Sequence, residues 1–537
     1  KFSVVSMENE LQKDNYIVQH TGLPTLTYSN TSESQSTSSR ERKQPESSDA
    51  PSSKKKKNTK EWNLKASGNF IKHGAKIYNK ILIPVICHLI IDTPVFSRLG
   101  EIKQLGIVDR IFRQANHTRF QHSLGVADLA RRVMKKLKKM SGDITGNDSL
   151  CVIIAALCRN LGHGPFSHCW DPIMEGINGT FKHQELSVKV FDYILETEMK
   201  VKKELDEYLT EEDFQFIREL INPPTDFFDS DGVWTLKGRP ASKEYLYEIV
   251  NNPHHGFDIA KLDYLVRDSF NTGVNIYVNS RSISRYIKGI RIQEFDGRKR
   301  LTFKGKLSDE IPDAFNSRKS LFKKVYFHKK TYPLEYQLQK AIRLALPHLK
   351  TCVAREFKTL KECLTEPINI AAYTTLNDNI VTLIKNSEID NPDMNEAKKC
   401  IERMERREIH TCILKITVCS SKWTDSFEQG IEKQIAIEAN KIPGLQGEDK
   451  VIHKVRHCHF GKGPKTDPSS EVLYKSRCNS DDMPNKGSYH NLQSETILYI
   501  YGPHNVDHKD VNAFCQKMEK YLKHYKVNKK LDVIFKK

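Results

Sequence analysis

Four separate segments of the sequence combine histidine with arginine, lysine or aspartate. They read HTRFQHSLGVADLA from His117, LCRNLGHGPFSH at residues 157–168, FKHQE around His183 and FDIAKLDYLVRD at residues 257–268. Histidine can ligate a metal or transfer a proton near neutral pH, and arginine and lysine bind phosphate groups. A single histidine in such a place is more often structural, but the order and separation of these four segments are distinctive.

The apolar pattern predicts which elements carry these residues. Between residues 123 and 140 the apolar residues follow helical spacing, which predicts an amphipathic helix that begins at or just after His122. Residues 150–161 are apolar on every side and are followed by Gly162, which predicts a buried helix. From Thr411 onward, strand patterns such as ILKITVC and ETILYIYG appear. We therefore expect a mainly α protein, with a helical core and a smaller α/β lobe at the C-terminus.

The four segments resemble the HD-domain deoxynucleoside triphosphate triphosphohydrolases, and most closely the animal members that also carry a sterile-alpha-motif domain. The resemblance runs from about Lys76 to beyond Tyr332 and includes FSHCW, YEIVNN and IDTPVFSRL. The N-terminal region shows no pattern like the sterile-alpha-motif domain. The resemblance implies an HD-type helical core, one divalent metal, and the reaction of a dNTP with water to give a deoxynucleoside and triphosphate.

The metal ligands that the resemblance implies are mostly changed in this sequence. His122 stands at the first ligand position, but Arg159 and Asn160 stand at the His-Asp pair and Ala260 at the distant aspartate. Arginine has no lone pair to donate, asparagine is a weak ligand and alanine offers none. Asp258 lies two residues before Ala260, where helical rotation directs its side chain elsewhere. We therefore expect no metal or a weakly bound one, lost or strongly impaired hydrolysis, and a possible phosphate-binding role for Arg159.

The other pocket positions keep residues of the expected type. The resemblance implies catalytic or phosphate-contacting roles for His163, His168 and His183. It implies substrate binding by Gln104, Arg119, Lys261, Tyr264, Asp268, Arg318 and His328. Taken together, these residues predict a nucleotide-shaped pocket.

The resemblance also implies regulatory sites for GTP and dNTP. In the family, an Asp, a Gln and an Arg from the stretch IDTPxFxRLxxI recognise guanine. Here Asp92 is kept, but Ser97 stands at the Gln position and Gly100 at the Arg position. This change puts guanine specificity in doubt. The implied contact positions are Lys76, Ile77, Asn79, Asp92, Ile111, Phe112, Arg285, Lys304 and Lys306. The alternative interpretation is that the basic residues of this set are solvated side chains on an edge hairpin.

The composition predicts a polyanionic partner and excludes a membrane-spanning chain. Of 537 residues, 38% are hydrophobic and 28% are charged, and the formal net charge is +18. Such an excess suits nucleotides or nucleic acid, although a basic tail and solvated helix faces would also explain it. The longest apolar run, residues 81–91, is too short for a bilayer.

We expect three regions: a disordered basic tail over residues 1–72, an HD-type helical domain over 73–410 and the α/β lobe over 411–537. Residues 29–60 contain almost no large apolar residues, which predicts disorder. The run from Lys54 to Lys57 predicts nuclear import, with the cytoplasm as the alternative. In the lobe, a cluster of His453, His457, Cys458 and His459 looks metal-like but lacks a second ligand pair at a fitting spacing.

Four hypotheses about function follow. The first is a nucleotide-binding HD protein with impaired hydrolysis, and the second is an active dNTP triphosphohydrolase with an altered metal site. The third is a protein that binds single-stranded nucleic acid. The fourth is a regulatory subunit that forms homo-oligomers, or hetero-oligomers with an active relative.

Overall fold

The computed structural model describes residues 59–64, 68–447, 450–463, 466–475, 484–487, 494–524 and 530–532. Residues 1–58 of the predicted tail, including the run from Lys54 to Lys57, lie outside these ranges. The folded part begins earlier than the predicted boundary at residue 73, because Trp62 is only 4% exposed and lies in the main core. Lys60 also pairs with Glu207 at 2.8 Å. The large apolar surface of the indole accounts for this difference.

Helices make up most of the described chain, which confirms the predicted fold class. Their bounds are α1 Val85–Ile91, α2 Pro94–Ser97, α3 Arg119–Leu137, α4 Gly146–Cys158, α5 Asp171–Asn178, α6 His183–Thr197, α7 Met199–Leu205, α8 Glu211–Ile221, α9 Tyr247–Val250, α10 Ile259–Thr272, α11 Ser280–Gly289, α12 Ile311–Leu321, α13 Thr331–Ala345, α14 Leu360–Leu364, α15 Ile370–Tyr373, α16 Ile380–Asn386, α17 Pro392–Arg406, α18 Asp425–Ala439 and α19 His508–His524.

The strands form small sheets at the edges of the helical body and one larger sheet in the lobe. Their bounds are β1 Phe70–Ala75, β2 Asn79–Pro84, β3 Ile290–Phe295, β4 Arg298–Lys304, β5 Lys350–Val353, β6 Glu356–Thr359, β7 Thr411–Cys419, β8 Ile452–Cys458, β9 Leu473–Lys475, β10 Asn485–Lys486, β11 Glu495–Gly502 and β12 Lys530–Asp532. Within the described residues, no helix is both long and apolar enough to cross a bilayer.

Helix α4 lies at the centre of the helical domain, and its residues 148–158 are buried, as the apolar run predicts. It begins at Gly146, before the predicted start at Leu150, because the Thr145 side chain caps it, and it ends at Cys158. It packs against α3 and α8, and α3 packs in turn against α10. Helix α3 begins at Arg119, before the predicted start at His122, because the Gln121 side chain accepts a hydrogen bond from the Thr118 backbone N–H and caps the helix. His122 therefore lies in the first turn of α3.

The C-terminal lobe has the predicted α/β character. Its sheet has the order β12-β7-β11-β8, and the described strand pairs are antiparallel. Helices α18 and α19 pack on one face around Ile431 and Phe514. The other face packs Tyr499 and Tyr501 against Tyr332 of the helical domain.

One segment of the lobe returns to the helical domain, so the lobe is not the continuous region 411–537 that the sequence predicts. Strand β9 pairs in parallel with β4, and β10 extends that sheet. Phe460, Val472 and Tyr474 are buried in the core of the helical domain. The burial of these three apolar side chains holds residues 459–463 and 466–475 against the HD fold.

Candidate functional site

Helix α3 places His122 at the centre of the candidate site. The side chain is 3% exposed, and its Nδ1 lies 2.7 Å from Oδ2 of Asp263 on α10. Asp263 also accepts hydrogen bonds from Arg267 Nε at 2.7 Å and Tyr78 Oη at 2.9 Å. Burial lowers the pKa of His122, so the imidazole is neutral near pH 7, with Nδ1 donating to the carboxylate. Asp263 therefore fixes the ring orientation of His122.

The remaining ligand positions hold groups that are already engaged with the protein. Arg159 follows the last residue of α4, and its Nη1 donates to the Val250 carbonyl at 3.1 Å. The amide oxygen of Asn160 accepts from Arg119 at 3.3 Å. Ala260 is a buried apolar residue in the first turn of α10.

Asp258 does not replace the missing aspartate. It is the N-cap residue of α10, where Oδ1 accepts from the Lys261 backbone N–H at 2.8 Å and Oδ2 from Lys261 Nζ at 3.0 Å. One neutral imidazole beside an arginine and an amide does not fit a divalent ion, because the arginine brings a positive charge and no lone pair. The residues at the family's metal position therefore do not fit the metal.

A second set of side chains, which we call the histidine cluster, lies next to this position and consists of His163, His168, Asp171 and His183. One ligand atom from each lies within 4.8 Å of the others. The rings of His163 and His183 stack with centroids 3.9 Å apart, and His168 Nδ1 lies 2.9 Å from Asp171 Oδ2. Within the described chain, His163 Nδ1 and Asp171 Oδ1 are buried without a hydrogen-bond partner. Three imidazoles and a carboxylate are ligands that suit a transition-metal ion.

The histidines of this cluster differ in how far their side chains are exposed to solvent. Burial lowers the pKa of His163 and His183 well below the ordinary value, and the nearby charge of Arg119 lowers it further. His168 has a side chain that is 67% exposed. Burial raises the pKa of Asp171, but the hydrogen bond and charge of His168 lower it by more. Near pH 7 the neutral imidazoles of buried His163 and partly buried His183 thus lie beside one ionised carboxylate.

Three arginines of the site have only neutral partners among the described residues. Arg119 donates from Nε to Ser167 Oγ at 2.9 Å, Arg159 donates to a backbone carbonyl, and Arg318 donates from Nη1 to the His459 carbonyl at 2.5 Å. Burial lowers the pKa of Arg119 to about 10, and burial also lowers the pKa of Arg159. Arg119 is buried and the other two are partly buried, and such cations without a carboxylate at ion-pair distance favour an anionic ligand.

Further predicted substrate residues surround these arginines. Asp268 accepts a hydrogen bond from Tyr326 at 2.6 Å and lies 2.8 Å from His117 Nε2. Burial raises the pKa of Tyr264 to about 12. Gln104 is 5% exposed, and its Oε1 is buried with no hydrogen-bond partner in the described ranges. The structure adds Tyr326 and His117, which the sequence did not single out.

Two residues remote in sequence, Arg98 and Asp378, hold the loop after α4 that carries His163 and His168. Arg98 donates to the carbonyls of Leu161 at 2.7 Å and His163 at 3.0 Å. Asp378 accepts from the backbone N–H of Phe166 at 2.5 Å and of Lys103 at 3.0 Å. Phe166 and Ser167 have φ values of 56° and 55°, which cost about 1–3 kcal/mol each for non-glycine residues. Asp378 therefore stabilises a strained loop conformation, and no local sequence pattern indicates this role.

The Asp378 carboxyl makes the stability of this loop depend on pH. Burial raises its pKa from 3.8 to about 6, so the folded state binds a proton more tightly than the unfolded chain does. This group therefore adds stability as pH falls from above 6 toward 3.8. We expect the unfolding free energy of the unmodified protein to increase relative to Asp378→Asn over that interval, by up to about 3 kcal/mol. Urea unfolding at several pH values measures this free energy, and Glu388→Gln is the control. If the difference in unfolding free energy between the two proteins did not change with pH, the raised pKa of Asp378 would be contradicted.

A basic cavity of about 560 Å³ lies away from the histidine cluster. It brings together Lys76, Ile77, Asn79 and Arg285 from the predicted regulatory set. It also contains cationic residues that the sequence did not single out, namely Arg132, Arg281 and Lys288. On α11, Arg281 lies four residues before Arg285 and Lys288 lies three residues after it, and this helical spacing is the signal that could have identified them.

The other predicted regulatory residues do not line this cavity. They are Asp92, Ile111, Phe112, Lys304 and Lys306. Phe112 instead contacts the predicted substrate residue His328, with ring centroids 5.9 Å apart. Lys304 lies near Lys136, whose pKa is lowered by burial and by this neighbouring charge.

The metal-like cluster of the lobe is dispersed. His453 lies 3.0 Å from Glu432, and His457 lies 3.0 Å from Thr496 Oγ1. Cys458 is fully buried in the lobe, and His459 instead shapes the loop that follows β8. The three histidines have separate partners and Cys458 lies in an apolar core, so the described geometry does not bring them to one site.

Comparison with known proteins agrees with this architecture. The sequence profile described as the HD domain matches residues 119–247, which include His122, Asn160 and the histidine cluster. The helical fold and this match define an HD-domain protein. The chain belongs to the HD-domain deoxynucleoside triphosphate triphosphohydrolase family, as its relatives demonstrate.

Those relatives are proteins named deoxynucleoside triphosphate triphosphohydrolase SAMHD1. The chain is 36% identical to that of Gallus gallus over 343 residues, which cover 62% of this chain and 54% of the relative. It is 31% identical to that of Danio rerio over 452 residues, covering 82% and 69%. The relative from Mus musculus is 33% identical over 469 residues, covering 83% and 68%. The alignment thus spans little more than half of the chicken protein and about two thirds of the others.

Proposed function

We propose that this protein binds deoxynucleoside triphosphates in the HD pocket and hydrolyses them poorly or not at all. The observation that carries the proposal is Arg159, a partly buried cation at the family's metal-ligand position whose hydrogen-bond partner is a neutral carbonyl. A fixed guanidinium supplies positive charge for phosphate oxygens without a metal. A guanidinium does not activate a water molecule as a metal does, so the site keeps dNTP binding but does not support hydrolysis.

The charges around Arg159 support triphosphate binding. Arg119 and Lys261 are both close enough to Arg159 for its charge to lower their pKa values, in addition to burial. Arg318 lies beside Lys261 and has the same effect on it. Asp258 pairs with Lys261 at 3.0 Å, but among the described residues no carboxylate forms an ion pair with the three arginines, so the site keeps an excess of positive charge. Inside a pocket that excludes much of the solvent, a triphosphate would offset this excess.

The proposal predicts binding without turnover in the unmodified protein. We expect dATP to bind in calorimetry in the presence of EDTA, and triphosphate release with Mg²⁺ or Mn²⁺ to stay at background. Arg159→Ala should weaken dATP binding about tenfold, the value of one charge-assisted hydrogen bond. Arg113→Ala, an exposed arginine outside the pocket, is the matched control.

Two results would contradict this proposal. One is that dATP does not bind. The other is metal-dependent triphosphate release by the unmodified protein, which would favour an active triphosphohydrolase with a relocated metal. The histidine cluster is the observation that supports this second candidate. In that case one metal ion per chain should be measured, and His183→Ala should remove both the ion and the activity.

The basic cavity supports a regulatory nucleotide site, although the loss of the guanine-reading residues leaves the base undefined. Lys76, Arg132, Arg281, Arg285 and Lys288 supply five cationic side chains to one cavity. A polynucleotide would also be attracted to it, but its affinity should fall much more steeply with salt than that of a mononucleotide. Assembly with copies of itself or with an active relative remains part of this proposal, and the nuclear location remains a prediction.

A further inference from the structure

The C-terminal lobe sends a short loop to the mouth of the HD pocket. Residues 459–463, with the sequence HFGKG, follow β8 and are named here the glycine loop. Phe460 is 1% exposed and anchors the loop in the core of the helical domain. His459 Nδ1 accepts from the backbone N–H groups of Gly461 at 3.1 Å and Gly463 at 3.2 Å, which closes the loop into a tight turn.

The loop lies directly over two of the pocket cations. A Cβ on Gly461 would lie 3.7 Å from Arg318 Nε and 3.8 Å from Lys261 Cε. The φ of Gly461 is +128°, a conformation that L side chains rarely adopt. Arg318 Nη1 donates to the His459 carbonyl, while Arg318 Nε is buried with no partner among the described residues. The φ of Gly461 favours glycine here, and the loop leaves one donor of Arg318 unused.

The loop brings one more cation to this place, Lys462. Its side chain is exposed, and its Nζ donates to the backbone carbonyl of Pro253, in the segment between α9 and α10. The charge of Lys462 reaches His255, whose pKa is lowered by burial and by the charges of Lys261 and Lys462. Lys261 and Lys462 therefore face the same segment from two domains.

We propose that Lys462 is a phosphate-binding residue of the HD pocket, supplied by the C-terminal lobe. A neutral carbonyl is a weaker partner for an ammonium group than a phosphate oxygen, so a bound triphosphate would compete for it. The flexible four-carbon stem of lysine allows this change of partner while Phe460 holds the backbone in place. This inference rests on the proposed nucleotide binding and adds a residue from a different domain to it.

The test compares Lys462→Ala and Lys462→Arg with the unmodified full chain. In calorimetry with EDTA, we expect Lys462→Ala to bind dATP and inorganic triphosphate about tenfold more weakly, the effect of one charge-assisted hydrogen bond. Lys462→Arg should restore most of the affinity. Lys450→Ala, an exposed lysine of the same lobe, should bind like the unmodified protein.

The possible failures can be told apart. If the unmodified protein binds no dATP, the proposed function fails and this assignment fails with it. If the unmodified protein binds dATP and Lys462→Ala binds it equally well, only the assignment of Lys462 is wrong. A lower melting temperature of Lys462→Ala, with no recovery of affinity in Lys462→Arg, would also overturn it, because the lysine would then serve the fold of the loop.

Discussion

A variant carrying Arg159→His, Asn160→Asp and Ala260→Asp is expected to release inorganic triphosphate from dNTPs in the presence of Mn²⁺ or Mg²⁺. The rate should exceed that of the unmodified protein by roughly a hundredfold or more, because a bound metal contributes several kcal/mol to the stabilisation of the transition state. The measurement is triphosphate release from each dNTP, with GTP present in case a regulatory nucleotide is required.

The structure gives a physical reason to expect this gain. His122 is already oriented by its hydrogen bond to Asp263, as the supporting shell of a metal ligand requires. Position 260 lies in the first turn of α10, beside the predicted substrate residue Lys261. Replacing Arg159 also removes the positive charge that opposes a divalent ion. His122, the first ligand, and Asp263, which orients it, are already in place. The three substitutions would therefore complete the ligand set.

The matched control is the single substitution Arg159→Met, which removes the charge but adds no ligand. It should leave the protein inactive, and the triple variant should contain close to one metal ion per chain. A triple variant that binds a metal and still releases no triphosphate would contradict the interpretation, because the loss of ligands would then not explain the loss of activity.

Replacement of Asp263 by asparagine is expected to destabilise the protein by about 3–5 kcal/mol, the cost of breaking a buried ion pair. Asp263 is fully buried, and it pairs with Arg267 through both carboxylate oxygens, at 2.7 and 2.9 Å. Asparagine would leave the buried Arg267 guanidinium without its counter-charge. Urea unfolding followed by circular dichroism measures the effect. Asp226→Asn, at an exposed position, should change stability little.

The pH dependence gives this prediction a second test. Burial raises the pKa of Asp263, but the charge of Arg267 and the hydrogen bond from His122 lower it by more, well below its ordinary value of 3.8. An aspartate with a lowered pKa contributes stability above its unfolded pKa and loses it as the pH falls. The difference between the unmodified protein and Asp263→Asn should thus be largest near neutral pH and shrink below about pH 4. A difference independent of pH would show that the charge is not its source.

The local pattern of the sequence determined which elements form and which residues they carry. Uniform apolarity predicted the buried helix α4, and strand patterns predicted β7 and β11. The start of α3 was placed too late, because a capping interaction between Thr118 and Gln121 is not part of the apolar periodicity. The identities of Arg159, Asn160 and Ala260 are also sequence facts, so the expectation of an altered metal position needed no coordinates.

Only the tertiary structure decided which groups meet. The Asp263 partner of His122 lies 141 positions away, and Asp378 lies 212 positions from the backbone group it holds at Phe166. The return of residues 459–463 and 466–475 to the helical domain, with Lys462 near Lys261, is equally remote in sequence. Periodicity reports the environment of each residue along its own helix or strand. Contacts between distant segments depend on how those elements pack, and packing is settled by the burial of the whole core.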